Sequence, residues 1–61
     1  MTIPQLENIA KAGAQAKRLW SQTGCNKALC NVQESARILS DTRKNPGMKN
    51  IIDEITEKAG F

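Results

Sequence analysis

Histidine and tyrosine are missing from these 61 residues, and Trp20 and Phe61 are the only aromatics. Without histidine the chain lacks the side chain that most often works as general acid or base near neutral pH. No glycine-rich phosphate loop occurs. The one carboxylate cluster, Asp53, Glu54 and Glu57, fits a solvated helix face. The expectation is therefore not an enzyme: no catalytic residues, no cofactor and no small-molecule substrate. Long apolar runs are missing too. No run of bulky aliphatics exceeds the two residues of Ile51-Ile52, whereas a spanning helix needs roughly 20 apolar residues. Glu7, Lys11, Lys17 and Arg18 interrupt the N-terminal stretch where the apolar region of a signal peptide would lie. No membrane partner and a cytoplasmic location are expected.

Cysteine is scarce. Cys25 and Cys30 form a C-x4-C pair, and two thiols without histidine fall short of the four ligands zinc normally takes. Spaced in this way on one helix, they also sit too far apart for the Cα separation of a disulfide. Reduced thiols are expected, with Cys25 in the core and Cys30 half-buried.

What is present reads as three helices in one small domain spanning residues 1–61. The first is expected from about Ile3 to Gln22. Thr2-Ile3-Pro4-Gln5 has the form of a capping box, in which the threonine hydroxyl and the glutamine amide each satisfy the other residue's main chain. Met1 and Leu6 occupy hydrophobic-staple positions, and Pro4 falls in the first turn, where a missing amide does no harm. Leu6, Ile9, Gly13, Ala16 and Trp20 recur at spacings of three and four and make one apolar stripe. Trp20 is read first as core and second as an interface anchor, since tryptophan is enriched at binding hot spots. Thr23-Gly24 closes the helix, with glycine free to take the left-handed cap.

A second helix is expected over Asn26–Arg43, with Asn26 as N-cap and the stripe Cys25, Leu29, Val32, Ala36 and Leu39. Asn45-Pro46-Gly47 stops it, because the residue before proline avoids the helical region. The same tripeptide can start the third helix, Asn45 capping and Pro46 at the first position. That helix runs to about Ala59 and buries Met48, Ile51, Ile52, Ile55 and Ala59. Gly60 suits a left-handed cap, with Phe61 folding back on Ile55. Ala10, Gly13 and Ala16 let a second helix approach closely. The fold class is thus all-α: an antiparallel helical hairpin with a third helix packed across it. A core this thin makes a homodimer an expected partner state.

Charge divides along the chain. Residues 1–49 carry eight basic residues against three carboxylates, a net of +5, and residues 50–61 carry one against three, a net of −2. Two functional readings follow. The first is a non-enzymatic regulatory or protein-interaction module acting through an exposed helix face. The second is a small DNA-binding regulator using Arg37, Arg43, Lys44 and Lys49 around the Asn45-Pro46-Gly47 turn, with Lys17 and Arg18 in support. Leu6 to Ala14 resembles the opening of a bacterial repressor helix-turn-helix. The stripe runs on through Gly13 without a phase break, however, which predicts one continuous helix.

The string MTIPQLENIAKAGAQAKRLW and the length are similar to the small early-region proteins of lambdoid bacteriophages. The resemblance implies an accessory factor in the host cytoplasm that adjusts phage development through contacts with host or phage proteins. It carries no functional residue onto this sequence.

Overall fold

The computed structural model describes residues 2–61 and holds three helices: α1 (Ile3–Thr23), α2 (Asn26–Arg43) and α3 (Lys49–Ala59). The expected capping box is formed at the start of α1. The Gln5 amide donates to the Thr2 hydroxyl at 3.4 Å, and the Thr2 amide donates to the Gln5 side-chain oxygen at 2.9 Å. The Met1 staple lies outside the described residues. Gly24 closes the helix at φ 67°, its amide donating to the Trp20 carbonyl at 2.7 Å. Helix α1 is unbroken through Gly13, as the continuous stripe predicted.

Two expected caps are corrected. Cys25, not Asn26, is the N-cap of α2, and its side chain makes no capping bond. The turn after Gly24 leaves room for one extended residue, Cys25, whose amide is taken by the Thr23 hydroxyl at 3.3 Å. Likewise α3 does not begin at Pro46. Asn45-Pro46-Gly47-Met48 forms a turn closed by the Met48 amide on the Asn45 carbonyl at 2.9 Å, and Met48 stands as N-cap before Lys49. Proline's fixed φ suits the second place of such a turn as well as a first helical turn. At the other end of α3, Gly60 (φ 77°) and Phe61 complete a Schellman motif. The Gly60 amide reaches the Glu57 carbonyl at 3.2 Å, and the Phe61 amide reaches that of Thr56 at 3.1 Å.

The core is Leu6, Ala10, Leu39, Ile52 and Ile55, with Ile9, Met48, Ile51, Ala59 and Phe61 packed around it. Leu6 and Leu39 meet because α1 and α2 run antiparallel, which brings the start of one beside the end of the other. Helix α3 runs back alongside this open end of the hairpin. Ile51 and Ile55 lie with Ile3 and Glu7 of α1, and Phe61 reaches Gly13. With two neighbours, α1 buries a broader stripe than one partner would require, adding Ala10 and Ala14 to Leu6, Gly13 and Ala16. Among the described residues no helix is long and apolar enough to cross a membrane.

Gly13 is a point of close approach. A Cβ built there would collide with Phe61 Cε2 and lie 2.8 Å from Ser35 Cβ. The Phe61 ring therefore goes further than a local contact with Ile55 and wedges between α1 and α2.

Candidate functional site

Helix α3 is shorter than the hairpin it covers: 11 residues against 21 in α1 and 18 in α2. It ends at the level of Gly13 and Ser35, so the turn end of the hairpin has no third helix over it. Gly13 touches Phe61, and Lys17 Nζ donates to the Phe61 carbonyl at 2.9 Å. Trp20 lies seven residues beyond Gly13, two helical turns on and nearly in the same direction. On α2, Ala36 and Leu39 line a pocket shared with Ile52, Thr56 and Phe61. Leu29 and Val32 precede them by the same seven residues. Beyond Phe61, Trp20 of α1 is exposed and Leu29 and Val32 of α2 are half-buried.

The core reading of Trp20 is overturned: it is 41% exposed, and neighbouring Leu19 is 49% exposed. Trp20 is in phase with the core stripe but lies beyond the reach of α3. Cys25 and Cys30 are also corrected, since both are exposed free thiols. Cys25 precedes the helical phase, and Cys30 sits one position off the stripe. Leu19 lines the opposite face of the hairpin end together with Ala12, Ala16, Cys25 and Lys27.

The six basic residues do not form one patch. Arg43 is paired, its Nε 2.8 Å from the Asp53 carboxylate. Lys44 lies 3.8 Å from Asp41. Those two and exposed Lys49 sit beside the N-terminal end of α3, whereas Lys17 is bonded beyond its C-terminal end. An 11-residue helix separates them by about 16 Å. Arg37 and Arg18 are exposed and make no ion pair among the described residues. Lys27, at the hairpin turn, was not singled out from the sequence and is likewise unpaired there. Its signal was available: from Asn8 to Gln33 there are four cations, Lys11, Lys17, Arg18 and Lys27, and no carboxylate. Among the described residues no three potential metal ligands converge.

No protein-family model matches this chain, and no curated protein or solved structure is significantly similar to it.

Proposed function

We propose that this protein is a non-enzymatic interaction module that docks a partner protein on the uncovered turn end of its helical hairpin. The observation that carries the reading is Trp20: a large apolar side chain on the core-facing stripe, left 41% exposed where α3 stops. Tryptophan is enriched among the residues that carry binding energy at protein interfaces. The resemblance to phage early-region proteins, taken with this reading, makes that partner a host or phage protein. The alternative, DNA binding by the Asn45-Pro46-Gly47 region, has less support, because Arg43 is already paired with Asp53 and Lys44 leans toward Asp41.

A pull-down from the bacterial host with nuclease treatment tests the reading. The expected outcome is a partner that survives nuclease, is lost with Trp20→Ser and is retained with Arg43→Ala/Lys44→Ala. Partners lost with nuclease, or with the Arg43 and Lys44 changes alone, would overturn it in favour of nucleic-acid binding.

A further inference from the structure

We infer that the groove between α1 and α3 is the face on which a second copy of this chain docks, the two copies related by a two-fold axis across the groove. This face is separate from the turn end: Trp20 lies nine residues beyond Lys11, about 14 Å further along α1. Helices α1 and α3 run parallel, both advancing toward the level where Gly13 meets Phe61. Ile51, Ile55 and Ala59 give the groove an apolar lining, and Ile3, 45% exposed, stands where it begins. The charges along it are banded. Glu7 of α1 and Glu54 of α3 lie nearer that beginning. Lys11 and Lys58, four residues on in each helix, lie about 6 Å beyond them. All four are exposed.

The banding fits the same groove in reverse. A two-fold axis running across the groove lays Glu7 against Lys11 of the second copy and Glu54 against Lys58 of the second copy. Each pairing occurs twice, as an isologous contact requires. An axis running along the groove would instead set Glu7 against Glu54 and Lys11 against Lys58, and like charges reject that arrangement. With two cations and two carboxylates, the groove favours no partner of one strong sign, whereas a reversed copy carries the required order of charge. Glu7 and Lys11 make no ion pair among the described residues, so both are open to the second copy. Glu54 and Lys58 stand 3.1 Å apart along α3, and each gains a further partner. The groove on the other side of α3 offers no such bands, because Arg43 and Asp53 already pair across it. A core of five buried residues is also the setting in which small domains add a partner subunit.

Sedimentation equilibrium of the whole chain tests the face through charge reversal. Glu7→Lys, and separately Lys11→Glu, turns two attractive contacts repulsive and should weaken the dimer at least about tenfold at low salt. Combining Glu7→Lys with Lys11→Glu should bring the dissociation constant back to within about threefold of that of the unaltered chain. An equal mixture of the two single variants should form the mixed dimer in preference to either homodimer. Circular dichroism checks that each variant is folded. A dimer that ignores both single changes, or that the combined change fails to rescue, overturns the face. A dimer lost instead with Trp20→Ser assigns self-association to the turn end. A chain that stays monomeric to about 1 mM overturns the inference but leaves the docking reading, whose pull-down partner should survive Glu7→Lys. A pull-down partner lost with Glu7→Lys and kept with Trp20→Ser overturns both and gives the groove to that partner.

Discussion

Replacing Gly13 by alanine sets two opposing effects against each other. On an exposed helix the change would stabilise by about 1 kcal/mol, because glycine loses more backbone freedom on folding than alanine. Here the new methyl would collide with Phe61 Cε2 and lie 2.8 Å from both Phe61 Cδ2 and Ser35 Cβ. The ring can swing aside, giving up its packing between the helices. Ser35 Cβ is fixed to the α2 backbone and yields only if the helices part. Overpacking of this kind costs roughly 1–3 kcal/mol, and two obstructions put it at the upper end. The net expectation is a loss of about 1–2 kcal/mol. In a domain this small, 1 kcal/mol moves Tm by about 4–8 °C, so circular dichroism should record a fall of at least several degrees. Part of the penalty should vanish when Phe61→Ala is already present, with a coupling of about 1 kcal/mol in the double-mutant cycle. A Tm that rises with Gly13→Ala, as helix propensity alone demands, would refute the reasoning.

Other perturbations have definite signs. Thr2→Ala should cost about 1 kcal/mol by removing the capping-box acceptor, and Thr2→Ser should keep it; a Thr2→Ala melt that coincides with that of the unaltered chain would contradict the cap. Leu6→Ala, at a fully buried site, should cost about 2–5 kcal/mol, enough to unfold much of a marginal domain as seen by circular dichroism. Arg43→Ala should cost less than about 1 kcal/mol, because both partners of the Arg43–Asp53 pair are half-exposed; a larger loss in urea unfolding, or one that high salt does not diminish, would give the pair more weight than its setting allows. Both cysteines should react with a disulfide reagent in the native fold at rates that denaturant changes little, and a thiol that reacts only after unfolding would contradict its exposed placement.

The three helices and most of their ends were legible because each signal is local. Spacing of apolar residues marks the helices, glycine marks the left-handed stops after Thr23 and Ala59, and Thr2 with Gln5 marks the first start. The two misread starts, at Cys25 and Met48, turn on how the preceding turn closes, which a side chain's capping propensity does not report. The fates of Trp20 and the cysteines were not legible for a different reason. A stripe shows which side of a helix faces inward, not how far along it a neighbour extends. Trp20 lies on the inward side, but α3 stops at Phe61 before reaching it. The exposure of Trp20 follows from a length mismatch between helices, 11 residues in α3 against 21 in α1.

Acrylamide quenching of Trp20 in the folded chain, at concentrations where it sediments as a monomer, probes directly whether the turn end of the hairpin stays uncovered beyond Phe61. With the side chain 41% exposed, the quenching constant should be an appreciable fraction of that of the denatured chain. Quenching close to zero, as for a tryptophan sealed in a core, would mean that Trp20 is already covered and would contradict the account.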